Sequence, residues 1–297
     1  MTSSAGVLLD QASAARLLPE RDPRGHKGTF GRVLMVAGSL DYAGAALMAG
    51  AAALRAGSGL VTIALPASLQ PSVAGRVPEL ITFGLPELAP YEVDAGEAAA
   101  DLAKMPADAL LLGPGLKPGR GTTRLVQSLL SMDGAPSVVD AGALGALATL
   151  PGWWRRLVRP AILTPHAGEF ARLGREPGGS DRSRREAAIG AARDWQVVVV
   201  LKGAYTVIAD ADGRVVTAPF EVPALASGGS GDILAGVITS LLGQGLRPFE
   251  AAALGVYLHA RAGELATLEL GDAGLMATDL LPLLPRVRRA LAQGRDS

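Results

Sequence analysis

Short apolar runs, each closed by glycine, constrain this chain to one class of fold. Val33-Leu34-Met35-Val36-Ala37 ends at Gly38-Ser39, Leu110-Leu111-Leu112 at Gly113-Pro114-Gly115, and Val197-Val198-Val199-Val200-Leu201 at Lys202-Gly203. Strands apolar on both faces belong to a sheet covered on both sides, the parallel, helix-flanked arrangement. The pattern predicts strands at 32–37, 60–65, 79–84, 109–112, 137–140, 161–164 and 197–201. A hairpin of 205–210 and 214–218, turned at Asp212-Gly213, follows them. Helical spacing at roughly 43–56, 120–131, 168–174 and 185–194 gives a β-α alternation, and helices at about 248–268 and 277–290 close the chain. With no Pro/Gly/Ser-rich linker and no fixed-period repeat, residues 1–297 read as a single α/β domain: a mostly parallel central sheet with helices on both faces. The chain has 38 glycines, about twice the average share, and they gather where such sheets bind ligands, outside the carboxyl ends of the strands.

Composition narrows the partners. Lys plus Arg and Asp plus Glu are both 28, so no basic excess favours nucleic acid or an anionic membrane. Anionic ligands must then be held by glycine loops and helix ends. Zero cysteines exclude disulfides, thiolate nucleophiles and cysteine-ligated zinc, and fit a cytoplasmic enzyme. Asp10 interrupts the apolar stretch at the N-terminus, which argues against a signal peptide, and the apolar run 43–54 stops at Arg55, too short to span a bilayer.

The segment Ser227-Gly228-Gly229-Ser230-Gly231-Asp232 runs straight into apolar residues at 233, 234, 237, 238, 241 and 242, a helical spacing. Unpaired N–H groups at that helix start, unshielded by side chains, form an anion-binding cup. Asp232 beside the cup is placed to take a proton from a hydroxyl attacking a bound phosphoryl group, and the helix N-terminus is expected to keep it ionised. Walker, Rossmann, zinc-protease and hydrolase-nucleophile signatures are all missing, so nucleotide chemistry would fall to this cup.

Other constellations carry two readings each. The cup itself also reads as a tight turn capping a helix. Lys202-Gly203-Ala204-Tyr205-Thr206 is a nucleotide-phosphate loop or a solvated strand end. His166 of Thr164-Pro165-His166-Ala167-Gly168-Glu169 is a site residue or a capping residue, and Asp140, closing a strand, a site carboxylate or an N-cap. Gly113-Pro114-Gly115 admits a ligand or turns the chain. The Ala/Gly-rich helix from Ala43 packs tightly, with Gly44-Ala45 near a ligand as the second reading. His26-Lys27-Gly28-Thr29-Phe30-Gly31 is a basic loop near phosphate or a solvated turn.

Taken in order, His26-Lys27-Gly28, Gly44-Ala45-Ala46, Arg55-Ala56-Gly57-Ser58-Gly59, Gly113-Pro114-Gly115, Val139-Asp140-Ala141, Thr164-Pro165-His166 with Glu169-Phe170, Leu201-Lys202-Gly203 and Gly229-Ser230-Gly231-Asp232 resemble the ADP/ATP-dependent NAD(P)H-hydrate dehydratase family of the ribokinase-like superfamily, from about residue 15 to 285. The resemblance implies a ribokinase-like fold. It also implies ADP-dependent dehydration of the S-form of hydrated NADH and NADPH, giving AMP and phosphate. It places Lys202, Gly203, Ala204, Tyr205, Thr206 and Gly231 on the adenine nucleotide, and Ala45, Gly115, His166 and Asp232 on the hydrated dinucleotide. Asp232 would be the base, with Gly229, Ser230 and Gly231 stabilising the transferring phosphoryl. Mg2+, ADP or ATP as phosphoryl donor, and a homo-oligomer, expected as a homotetramer, follow from the same resemblance. The epimerase domain often fused N-terminally to this family has no room in 297 residues. Where the family usually reads Asp-Ala-Asp-Ala-Leu-Asn, this chain has Asp140-Ala141-Gly142-Ala143-Leu144-Gly145, and Ser227 and Ser230 stand where threonine is commoner. Two rivals remain: a kinase of the same superfamily for a vitamin precursor of the hydroxyethylthiazole type, and a non-catalytic nucleotide sensor.

Overall fold

The structure, a computed structural model, describes residues 7–294. The N-terminal reading for residues 1–6 lies outside them. The strands are β1 (Val7–Leu8), β2 (Arg32–Val36), β3 (Leu60–Pro66), β4 (Ile81–Leu85), β5 (Glu87–Ala89), β6 (Glu92–Val93), β7 (Ala109–Leu112), β8 (Ser137–Val139), β9 (Ala161–Leu163), β10 (Val198–Leu201), β11 (Val207–Ala209) and β12 (Val215–Thr217). The helices are α1 (Gln11–Leu17), α2 (Ala43–Ala56), α3 (Gln70–Val73), α4 (Ala95–Ala103), α5 (Arg120–Leu130), α6 (Ala141–Ala148), α7 (Ala167–Arg172), α8 (Asp181–Trp195), α9 (Ser230–Gly243), α10 (Pro248–Leu270) and α11 (Leu284–Gln293).

Ten strands form one sheet in the order β1-β12-β11-β10-β9-β8-β7-β2-β3-β4, while β5 and β6 make a separate antiparallel pair. Only β11 opposes its neighbours in the large sheet; every other pairing is parallel. Strand alternation explains the two covering layers. Val33 and Met35 of β2 face a core shared with α1, α2, α9, α10 and α11, whereas Leu34 and Val36 face one shared with α4 to α8. The small residues of α2 serve packing: a Cβ at Gly236 of α9 would lie 2.2 Å from the Ala49 carbonyl oxygen. This close approach seats α9 against α2 and the sheet.

The chain runs β2-β3-β4 in one direction, then returns to place β7 on the other side of β2. The crevice between the carboxyl ends of β2 and β7 is therefore the topological switch point, where α/β sheets bind ligands. Gly38 N–H donates to the Pro114 carbonyl across it at 2.7 Å. Gly113 has φ +126°, and a Cβ there would sit 1.7 Å from the Asp140 carbonyl oxygen. Gly113→Ala is expected to destabilise the fold by about 3 kcal/mol, read as a lowered denaturation midpoint.

Several expectations shift. The helix at 277–290 is instead a 3-10 turn, Ala277–Leu280, and α11, because Pro282 and Pro285 interrupt the run and Pro285 suits a helix's first turn. The helix at 185–194 begins earlier, at Asp181, behind a Ser180 capping box. The strand at 79–84 runs Ile81–Leu85. The basic loop 26–31 precedes β2 and packs at the opposite edge of the sheet from the cup, with Gly31 against the Gly243 carbonyl at the far end of α9. Its phosphate reading is overturned; the turn reading stands, with Gly28 N–H bonded to His26 Nδ1 at 3.1 Å. Among the described residues, no helix is long and apolar enough to cross a membrane.

Candidate active site

Strand ends bring the polar groups together. Lys202 follows β10, Thr164 to His166 follow β9, and Asp140 follows β8, three adjacent positions along the carboxyl edge. Lys202 Nζ lies 2.8 Å from Asp140 Oδ1 and 3.8 Å from Glu169 Oε2. Burial pulls the lysine pKa down, but the charges of Asp140, Glu169 and Asp232 outweigh it and hold it above its usual value. Asp140 occupies the N-cap position of α6 yet makes no capping hydrogen bond; its carboxylate is given to Lys202. The N-cap reading of that side chain is thus corrected.

The glycines bend the 229–232 segment as the cup requires. Gly229 has φ +93°, and the space a Cβ would need is filled by Met48. Ser230 N–H reaches the Ser227 carbonyl at 3.3 Å and Ile233 N–H the Gly229 carbonyl. Between them, the Gly231 and Asp232 amides have no protein partner among the described residues. A Cβ on Gly231 would lie 3.4 Å from Lys202 Nζ, so the free amides and the ammonium group converge.

Asp232 is ionised at neutral pH, as expected, but its pKa is raised. Burial first, then the negative charges of Asp140 and Glu169, push its pKa up to about 6, with Lys202 acting the other way. A carboxylate poised there is ionised at neutral pH and is a better-matched base than one near 4.

Ser230 is buried with its hydroxyl 3.1 Å from His259 Nε2, so that hydroxyl faces α10 as well as the cup. Burial drives His259 down to about 4, which keeps its ring neutral. His166 is the N-cap of α7: its Nδ1 accepts from the Gly168 and Glu169 amides at 3.0 and 3.3 Å, and Glu169 answers by accepting from His166 N–H at 2.9 Å. Its capping reading holds, and the residue also lines the cavity described next.

A cavity of about 760 Å³ opens beside this cluster, with Lys202, Gly203, Ala204, Thr206, Ser230 and Gly231 at its polar end. Phe220, Val222, Leu225 and Val256 form an apolar wall suited to a flat heterocycle. Tyr205 is absent from that lining; its φ is +51°, and its phenol interacts with Glu221, which does line the cavity. Ala45 and Gly115 lie against each other instead, a Cβ on Gly115 falling 3.0 Å from the Ala45 Cβ. They frame the switch-point crevice, outside the cavity. Gly142 is also spoken for: a Cβ would meet the Leu116 carbonyl oxygen at 2.2 Å, so an aspartate there would displace the 113–119 loop, whereas Gly145 faces open space. Glu169, His259 and the apolar wall were not singled out in the sequence as site residues. A histidine amid the apolar run 251–260 was the available signal for His259.

Among the described residues, no three His, Asp or Glu side chains gather as an all-protein metal site. Asp140 and Glu169, within 2.8 and 3.8 Å of Lys202, are the carboxylates that would be placed to help hold a phosphate-bound Mg2+.

An anion cup at a helix start, a carboxyl beside it and a nucleotide-sized cavity at the carboxyl edge sit on an α/β chain of ribokinase-like fold. Residues 33–286 match the family model described as NAD(P)H-hydrate dehydratase, and the chain belongs to that family. It is 46% identical over 289 residues to the bifunctional NAD(P)H-hydrate repair enzyme Nnr of Moorella thermoacetica, covering 96% of this chain and 54% of that protein. It is 38% identical over 288 residues to the ADP-dependent (S)-NAD(P)H-hydrate dehydratase of Xanthomonas campestris, covering 95% and 96% of the two. The chain thus spans about half the length of the bifunctional relatives it matches. Among solved structures, the ADP/ATP-dependent NAD(P)H-hydrate dehydratase of Bacillus subtilis co-crystallised with ATP/Mg2+ superposes with a TM-score of 0.84 at 35% identity, covering 97% of this chain and all of that one.

Proposed function

We propose that this protein repairs hydrated NADH and NADPH, using ADP to phosphorylate the ring hydroxyl and then releasing phosphate. The observation that carries the reading is the convergence of the free Gly231 and Asp232 amides with the Lys202 ammonium, Gly231 and Lys202 lining one end of the 760 Å³ cavity and the Asp232 carboxyl lying within the electrostatic reach of Lys202. In the hydrate, a hydroxyl sits on the ring carbon next to nitrogen, and hydroxide is a poor leaving group. Asp232 takes the hydroxyl proton as that oxygen attacks the terminal phosphorus of ADP; the P–O bond to AMP breaks. The Gly231 and Asp232 amides and Lys202 hold charge on the transferring group, and the glycines keep their approach open. The ring nitrogen's lone pair then expels phosphate, and loss of a proton from the neighbouring carbon restores the dihydropyridine. Mg2+, held through Asp140 or Glu169, would supply charge neutralisation on the phosphate oxygens.

The apolar wall is assigned to the adenine and the 202–206 loop to the phosphates of ADP, with Tyr205 contributing backbone only. Ala45, Gly115 and His166 are assigned to the dinucleotide. A cytoplasmic homo-oligomer, a homotetramer in the simplest case, fits this reading. The test is incubation with the S-hydrate and ADP: dihydronicotinamide absorbance should return with equal release of AMP and phosphate. No return, with ATP-dependent phosphorylation of hydroxyethylthiazole, would replace the reading by the kinase one.

A further inference from the structure

A second cavity, of about 310 Å³, lies at the carboxyl ends of β2, β3 and β4, on the side of the switch point away from Lys202. Its charged lining is three cations, Lys117, Arg120 and Arg124, against one carboxylate, Glu92. Arg120 and Arg124 are four residues apart on α5 and share a face. Lys117 also pairs with exposed Asp41 at 3.0 Å.

Two further features favour an anion there. Helix α5 starts behind Gly119, which offers no side-chain cap, and its first backbone bond runs from Thr123 N–H to the Gly119 carbonyl. The amides of Arg120, Gly121 and Thr122 precede that bond and have no protein partner among the described residues. Independently, Ser39 lines the same cavity, is 9% exposed, and has a buried hydroxyl with no partner. An orphan hydroxyl of this kind calls for a ligand or water.

Position adds the link to catalysis. Ser39 follows β2 and Asp140 follows β8, with β7 between them, so two strand spacings, ~10 Å, separate this cavity from the phosphoryl end. The rim between is the Gly38 to Pro114 hydrogen bond flanked by Gly113 and Gly115, which present no side chain to a bridging ligand. With zero net charge there is no global field to gather a polyanion, so its phosphates need local cations.

We propose that this cavity is a phosphate subsite for the dinucleotide substrate, with Arg120, Arg124 and the α5 amides as its donors; this rests on the repair reading above. The phosphate is either the diphosphate common to both substrates or the 2′-phosphate of the NADPH form. The test is fluorescence titration of the full-length protein with NADPH and with NADH, comparing wild type with the Arg120→Ala/Arg124→Ala double variant. The expected result is a rise of about tenfold or more in Kd. A rise for NADPH alone assigns the 2′-phosphate, and a rise for both assigns the diphosphate. Unchanged affinity for both overturns the proposal. In the wild-type protein, NADPH should also slow hydrogen exchange at the amides of 120–122, and no slowing overturns it equally. Neither readout needs turnover: dinucleotide binding that depends on the two arginines, without repair of the hydrate, would sink the dehydratase reading and leave the subsite standing.

Discussion

Asp232→Asn is expected to lower kcat by a factor of about 10³ or more while leaving the adenine-nucleotide Kd within a few-fold of wild type. The amide keeps the size and the backbone of the cup, so the free N–H groups at 231 and 232 remain, and only the proton acceptor is lost. Steady-state turnover alongside nucleotide titration separates the two. The wild-type rate should rise with pH through about 6, where the carboxyl ionises, and level off above it. The same substitution should stabilise the protein. A folded-state pKa of about 6 against 3.8 means the folded form binds the proton more tightly, so stability falls as pH rises between those values. Above pH 6 the ionised group costs the fold on the order of 3 kcal/mol, which asparagine removes. Below about pH 4 the advantage should vanish, since the carboxyl is protonated in both states. A variant that keeps its turnover, or melts earlier than wild type at pH 7.5, contradicts the assignment.

That trade-off bears on how much of the site was legible in the sequence. Unbroken apolar runs fixed the sheet and its two covered faces, because a strand buried on both sides can be written in no other way. The cup was legible for a local reason: glycines at a helix start leave amides bare whatever surrounds them. The Asp232 pKa was not legible, because it is set first by burial in the fold and then by Asp140 and Glu169, which lie 92 and 63 residues away in sequence and meet Asp232 only through the order β8-β9-β10. Asp140 read locally as an N-cap for the same reason; only the fold reveals that Lys202 claims its carboxylate. The short elements β1 and β5 to β6 and helices α1, α3, α4 and α6 escaped notice. The two-residue β1 gains its stability from pairing with β12, and α6 is so rich in Ala, Gly and Leu that it carries little periodic contrast. The loop 26–31 misled because a basic, glycine-rich stretch looks alike at either end of a strand.

Lys202→Met is expected to damage both the fold and the chemistry, and the pattern of damage identifies the lysine's role. Removing the ammonium leaves Asp140, 1% exposed, and the buried Glu169 without their cation. Breaking such a buried pair costs about 3–5 kcal/mol, visible as a lowered denaturation midpoint. The lysine's folded pKa lies above its ordinary 10.5, so its stabilisation is complete below that pH and disappears only in strongly alkaline solution. The gap between wild type and variant should instead widen as pH rises through neutrality, because the Asp232 carboxyl, no longer held down by Lys202, keeps costing the variant's fold above pH 6. Asp140→Asn in the Lys202→Met background should restore part of that stability, because the stranded charge is then gone. Restored stability should bring no restored turnover. Loss of a donor to the transferring phosphoryl lowers kcat by about 10²–10³. The acid limb of the rate profile should also move above pH 6, since Lys202 is the group that holds the Asp232 pKa down. A limb that stays in place would show that the ammonium does not act on the base, and turnover that also stays at the wild-type rate would leave Lys202 with a structural role alone.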